Sequence, residues 1–156
     1  MHIVLVTPEI PQNTGNIART CAALGAPLHL VHPLGFSVDA KAVRRAGLDY
    51  WHLLAVHHHD SLDAFVESHA DAQLVLFSSK GDTPYTEISY SPDAFLVFGS
   101  ETRGLPEEFI RGASHTVARI PTVSEARCLN LSNAVAVAAY EVVRQHRFVG
   151  LETRRD

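Results

Sequence analysis

The chain has 156 residues, enough for one domain with a core of its own, and 46% hydrophobic against 19% charged residues excludes a disordered composition. Its formal charge of −4, from 13 Lys and Arg against 17 Asp and Glu, argues against indiscriminate nucleic-acid binding; eleven of those cations are Arg, the side chain suited to forked recognition of phosphate, so a local basic face stays open. Cys21 and Cys128 make no disulfide framework, no apolar run is long enough to span a bilayer, and MHIVLVTPEI lacks the basic flank and cleavage site of a signal peptide, so a cytoplasmic protein with no membrane partner is expected.

In chain order, HIVLV (2–6) reads as a buried strand, followed by a loop, TPEIPQN, and a helix over TGNIARTCAALG with Ile17, Cys21 and Leu24 at helical spacing and Gly25 as its stop. LHLV (28–31) is a second strand, and DAKAVRRAG (39–47) a short helix capped by Asp39 and ended by Gly47. DSLDAFVESHA (60–70) predicts a helix leading into the strand QLVLF (73–77). A polar loop then precedes the strand FLVF (95–98), the turn GSETRGLP, a helix from Pro106 through PEEFIRG, and the strand HTVARI (115–120). A last helix runs from about Ser132 to Arg147. Neither a repeat nor a linker interrupts the alternation, so one domain, 1–156, is expected. Apolar strands alternating with helices predict an α/β fold, a mainly parallel sheet with helices on both faces.

In such sheets ligands gather beyond the carboxyl ends of the strands, which directs attention to three loops. PEIPQNTGNIAR (8–19) brings Asn13, Asn16 and Arg19 to a helix start, where free N–H groups and the helix dipole suit an anion such as phosphate. The alternative is that Asn13 or Thr14 caps the helix and Arg19 is solvated. FGSETRGLP (98–106) carries Gly99 and Gly104, which permit close backbone approach or positive φ, beside Glu101 and Arg103. It matches neither a dinucleotide fingerprint nor a P-loop, and it can also be a tight turn with a surface ion pair. IPTVSEARCLNLSN (120–133) is long and aperiodic; Ser132 or Asn133 can cap the next helix, but Asn130, Ser132 and Asn133 together exceed what one cap needs. The run HHH (57–59) lacks a completing ligand set, so no metal is expected. No nucleophile elbow stands out, and Cys128 beside Arg127 reads more simply as a small packed residue than as a reactive thiol.

Taken together, PEIPQNTGNIAR, RRAGLDYW (44–51), FGSETRGLP and IP…R.LNLSNAVAVAAYE resemble, over essentially the whole chain, the knotted SPOUT (SpoU–TrmD) RNA methyltransferases. The resemblance narrows to the TrmL/YibK type, which methylates the ribose 2′-oxygen at the wobble position (cytidine or uridine) of the tRNA anticodon. It implies a C-terminal deep trefoil knot and S-adenosyl-L-methionine as methyl donor. It implies a cofactor pocket formed by Phe77, Gly99, Glu101, Gly104, Ile120, Cys128, Leu129 and Asn133. Family members commonly have Ser where this chain has Cys128, a change that a backbone contact survives and a hydroxyl hydrogen bond does not. Arg19, with Asn13 and Asn16, is implied at the reaction centre, and Arg19, Arg103, Arg127, Ser132 and Tyr140 toward the RNA. Homodimerisation is implied as well; a dimer can gather Arg19, Arg103, Arg127, Arg44 and Arg45 into one basic groove that meets a tRNA anticodon stem-loop. The same chemistry on ribosomal RNA, and a catalytically silent knotted RNA-binding dimer, are the alternatives.

Overall fold

The computed structural model describes residues 1–37, 54–112, 115–125 and 128–153. The predicted helix at 39–47, the stretch RRAGLDYW with Arg44 and Arg45, and Arg127 lie outside the described residues. Among the described residues, seven strands form one parallel sheet: β1 (His2–Val6), β2 (Leu28–Val31), β3 (Val56–His59), β4 (Leu74–Phe77), β5 (Thr83–Pro84), β6 (Phe95–Phe98) and β7 (Thr116–Arg119). Their order across the sheet is β3-β2-β1-β6-β4-β7-β5. The α/β fold expected from the alternation is therefore the one observed. The strands β2, β4 and β6 are buried at every position, which is why β4 and β6 read as unbroken apolar runs rather than alternating ones, and β2 as one broken only by His29.

The helices divide between the two faces. Against one face lie α1 (Pro11–Leu24), through Ile17, Ala18 and Cys21, and α4 (Leu131–Gln145), through Val135, Ala138, Ala139 and Val142, packed on Ile3, Leu5, Leu28, Leu30, Val75 and Leu96. Against the other lie α2 (Leu62–Ser68), through Phe65, and α3 (Glu107–Gly112), through Phe109 and Ile110, packed on Val4, Val6, Val31, Leu74, Leu76 and Val97. Each large aliphatic or aromatic side chain removed from water in these two layers contributes roughly 1.5–3 kcal/mol. Gly25 ends α1 with φ +63°, and Ala26 N–H reaches back to the Cys21 carbonyl at 2.9 Å, so the helix stops where the sequence places its glycine. Ser61 caps α2, its Oγ accepting from Ala64 N–H at 3.1 Å.

Several boundaries differ from expectation. The first helix begins at Pro11, three residues before Thr14, because proline is at home in a first helical turn; Asn13 is thus helical rather than in a loop. The second helix is trimmed to Leu62–Ser68 and the last to Leu131–Gln145. Two strands went unpredicted. β3 is built from the histidine run VHHH at the sheet edge, and β5 is only two residues long, Thr83 pairing with Ala118 and Pro84 with Arg119.

Because every strand points the same way, β1, β6, β4 and β7 present their carboxyl ends side by side. The register aligns Leu5 with Phe98, Phe98 with Phe77 and Phe77 with Ala118 across that edge. The Phe77 and Phe98 rings stack there with centroids 4.6 Å apart. The described segments that leave these four strands (7–10, 99–106, 78–82, and 120–125 with 128–130) therefore meet in one place.

Candidate active site

The turn after β6 doubles back on itself. Ser100 and Gly104 form an antiparallel bridge, and Gly104 N–H donates to the Ser100 carbonyl at 2.9 Å. A Cβ on Gly99 would lie 1.9 Å from the Gly104 carbonyl carbon, so the two strands of the turn touch only because position 99 has no side chain. Gly104 itself sits at φ +69°, in the left-handed region. Both glycines thus have the physical reasons that the sequence offered for them.

This turn aims Glu101 at the start of α1. The carboxylate accepts from Glu9 N–H at 2.8 Å on Oε2, and from Ile10 N–H at 3.2 Å and Asn13 Nδ2 at 3.0 Å on Oε1. The N-cap residue of α1, Ile10, has no side-chain cap of its own. The helix end that the sequence offers to an external anion is accordingly occupied by the protein's own carboxylate, where the dipole favours negative charge. Neither Asn13 nor Thr14 caps this helix; Asn13 is buried and spans the gap between two other loops.

The second of those loops leads into α4. Asn130 Nδ2 donates to Asn13 Oδ1 at 3.0 Å, and Asn130 Oδ1 accepts from Ser132 N–H at 2.9 Å and Ser132 Oγ at 2.7 Å. Asn130 is therefore the N-cap of α4, in place of the expected Ser132 or Asn133. One continuous chain of hydrogen bonds, Glu101–Asn13–Asn130–Ser132, joins the three loops. At its edge Thr102 Oγ1 donates to the Glu9 carboxylate at 2.7 Å, with Arg103 3.9 Å from the same group.

Between these loops lies a cavity of 670 Å³, within the range of small-molecule sites. Of the residues expected in the cofactor pocket, Phe77, Gly99, Glu101, Gly104, Ile120, Cys128 and Leu129 line it; Asn133 does not, and is exposed on α4. Asn13 and Arg103 also line it, whereas Asn16, Arg19, Ser132 and Tyr140 do not. Asn16 and Arg19 are exposed on α1 while Asn13 is buried, so the three do not share one environment as their spacing suggested. Tyr140 is 49% exposed on α4, and Val137, one turn before it, 37%.

Sequence reasoning did not assign Ser78, Lys80, Arg119, Thr122 or Leu131, which the cavity also includes. The loop holding Ser78 and Lys80 leaves β4, whose carboxyl end is the recognisable signal; the exposure of Arg119 at the end of β7 had none. Lys80 is ion-paired with Glu107 of α3, and hydrogen bonding from Lys80 holds the Glu107 carboxyl below its ordinary pKa. Cys128 is exposed at the cavity. Burial pushes the Cys21 thiol up to about 12, which keeps it protonated and unreactive. Among the described residues no group of three or more His, Cys, Asp or Glu is arranged to hold a metal ion, and no helix is long and apolar enough to cross a membrane.

Residues 1–140 match the model of the SpoU rRNA Methylase family. The chain is 44% identical over 155 residues to the tRNA (cytidine(34)-2′-O)-methyltransferase of Escherichia coli strain K12, covering 99% of each chain. It superposes with a TM-score of 0.88 on a solved structure described as giving structural insights into the 2-OH methylation of C/U34 on tRNA, at 47% identity over 94% of this chain and 96% of that one. An AdoMet-bound rRNA methyltransferase from Sinorhizobium meliloti matches at a TM-score of 0.81 and 29% identity, over 92% of this chain but 55% of its own. The architecture, the joined loops and these relationships agree: the chain belongs to the SpoU rRNA Methylase family.

Proposed function

We propose that the protein transfers a methyl group from S-adenosyl-L-methionine to the ribose 2′-oxygen of the wobble nucleotide, cytidine or uridine 34, in the tRNA anticodon. The observation that carries this reading is the hydrogen-bonded chain Glu101–Asn13–Asn130 around a cavity at the sheet's carboxyl edge, in a chain that aligns end to end with a tRNA (cytidine(34)-2′-O)-methyltransferase. The ribosomal-RNA relative, by contrast, aligns with only 55% of its own length, which favours tRNA over rRNA as substrate.

The cavity suits the donor. Gly99 leaves room that any Cβ would close, Phe77, Ile120, Leu105 and Leu129 supply apolar wall for an adenine, and backbone of the 99–105 and 128–131 segments supplies polar edges. S-adenosyl-L-methionine, when bound, contributes a methyl group on a sulfonium, already a good leaving group. What remains for the protein is placement of the 2′-hydroxyl in line and help with its proton. Glu101, Asn13 and Asn130 hold the three loops in fixed relation. Arg19 stabilises the developing alkoxide or grips the adjacent phosphate through its guanidinium.

Arg19 is exposed and does not line the cavity of its own chain, which supports a homodimer in which it serves the partner's cavity. Val137 and Tyr140, exposed on α4 beside the small side chains of that helix, supply an apolar face for such a contact. The reading carries with it a single SPOUT domain, a knotted C-terminus, a tRNA anticodon stem-loop as partner and a cytoplasmic location.

The test is transfer of labelled methyl to bulk tRNA, with the product nucleotide mapped by mass spectrometry. Methylation confined to the 2′-oxygen of nucleotide 34, and lost in Arg19→Ala with folding intact, is the expected result. Label appearing in ribosomal RNA instead, or calorimetry without any cofactor binding at millimolar concentration, would replace this reading with the ribosomal or the silent alternative. Light scattering of the purified protein decides the dimer.

A further inference from the structure

Among the described residues the cavity carries three cations, Lys80, Arg103 and Arg119, and they differ in one respect. Lys80 is ion-paired with Glu107, and Arg103 lies 3.9 Å from Glu9. Arg119 is exposed, and among the described residues no carboxylate pairs with it. Its backbone, nevertheless, is firmly placed. Neighbouring Ala118 is fully buried between β4 and β5, its carbonyl accepts from Ser78 N–H at 3.0 Å, and a Cβ on Gly81 would sit 2.7 Å from that carbonyl oxygen. Strand alternation then sends Val117 and Arg119 to the face opposite Ala118, the face whose buried core Val117 shares with Phe109 of α3, the helix whose Glu107 holds Lys80. The result is a guanidinium without an acid partner among the described residues, on a rigid strand end, at the rim of the cavity.

We infer that Arg119 is a substrate-positioning contact, gripping a phosphodiester of the RNA beside the nucleotide that enters the cavity. This rests on the proposed function. The methyl donor has a positive sulfonium and amine against one carboxylate, so a further cation gains little from it, whereas RNA brings a phosphate with every nucleotide. An arginine fork is matched to phosphate geometry and stays charged at every working pH.

The experiment compares wild type, Arg119→Ala, Arg119→Lys and, as a comparator on the same rim, Lys80→Ala. Expected for Arg119→Ala is a KM for tRNA raised about tenfold with kcat within about twofold, the loss of one charge-assisted contact. The slope of log binding constant against log salt should become shallower by roughly 0.7, one phosphate contact to single-stranded RNA. Cofactor affinity measured by calorimetry should be unchanged. Arg119→Lys should restore the salt slope but not the full affinity, and Lys80→Ala should change tRNA binding less than Arg119→Ala. A tenfold loss of cofactor affinity with an unaltered salt slope overturns the proposal and gives Arg119 to the cofactor's carboxylate. Equal KM and slope in wild type and Arg119→Ala, with wild type methylating tRNA, overturn it alone; a wild type that methylates no tRNA overturns the substrate reading itself.

Discussion

Asn130 donates its Nδ2 to Asn13 Oδ1 at 3.0 Å, joining residues 117 positions apart. Asn13 cannot turn its amide to suit a different partner, because its own Nδ2 is held by Glu101 at 3.0 Å. Asn130 is equally constrained, since its oxygen accepts from both Ser132 N–H and Ser132 Oγ. The orientation of each amide is thus set by the other and by the two ends of the chain. Three loops that leave different strands are held in a single arrangement, which is what in-line chemistry requires of a site.

Asn130→Asp separates the two jobs of this residue. The aspartate keeps an oxygen for Ser132 and so preserves the cap of α4, but it loses the donor to Asn13 and sets a carboxylate against Asn13 Oδ1. Stability should fall by about 1–3 kcal/mol in urea titration. Methyl-transfer kcat/KM should fall by at least about tenfold, as misplacement at a preorganised centre does. Asn130→Ala should cost about 1 kcal/mol more, the worth of the cap. Equal kcat/KM in wild type and Asn130→Asp would remove the loop-joining role.

Glu101→Gln keeps the size of the side chain but gives it an N–H₂ group. Three donors converge on the two carboxylate oxygens, so one of them must then face another donor. The start of α1 loses its negative charge at the same time. A loss of about 1–3 kcal/mol in unfolding free energy and weaker cofactor binding in calorimetry are expected. Unchanged values for both would mean that the carboxylate is not needed at the helix start.

Gly99→Ala and Gly104→Ala make a contrasting pair. At Gly104 a Cβ meets nothing within 4 Å, and only the left-handed φ of +69° opposes it, at a cost of about 1–2 kcal/mol. At Gly99 the Cβ would collide with the Gly104 and Leu105 backbone at 1.9 and 2.1 Å, so the turn has to open. Gly99→Ala should therefore reduce cofactor affinity far more than Gly104→Ala, by at least about tenfold, while circular dichroism shows the sheet and helices retained. Similar affinities in the two variants would show that the close approach at Gly99 does not shape the pocket.

The sheet was legible because buried parallel strands are nearly continuous apolar runs, and HIVLV, LHLV, LVLF and FLVF, interrupted only by His2 and His29, advertise themselves. The strand β3 was hidden by its own chemistry: His57–His59 reads as a polar cluster, and only pairing with β2 makes it a strand. Gly99 and Gly104 were legible as special, because a glycine pair flanking charged residues at a strand end has few other uses. The identity of the α4 cap was not legible. Asn130, Ser132 and Asn133 all have capping side chains, and the choice among them is made by Asn13, far away in sequence. Glu101 likewise finds its partners 88 to 92 residues off, where no local pattern reaches.

The histidine run also sets a pH dependence. His29, buried in β2, bonds through Nε2 to His2 Nδ1 at 3.1 Å and through Nδ1 to His59 Nε2 at 2.9 Å; His57 stacks on it with ring centroids 4.6 Å apart, and His69 meets it edge-on. The other charged groups facing this cluster are Asp93 and the N-terminal amine near His2, and Asp60 near His59. Burial, and then the neighbouring imidazoles, push His29 down to about 3, and His2 and His59 are lowered chiefly by burial as well. A lowered folded-state pKa means that the unfolded chain takes up protons first. Stability is therefore full above about pH 6.5 and falls as the pH drops from there toward 3. Each such proton contributes at most about 1.4 kcal/mol per pH unit. His29→Leu removes the central imidazole, and its unfolding free energy, measured by urea titration between pH 7.5 and 5, should fall less steeply than that of wild type. Parallel pH profiles for the two proteins would show that the buried histidine does not govern acid sensitivity.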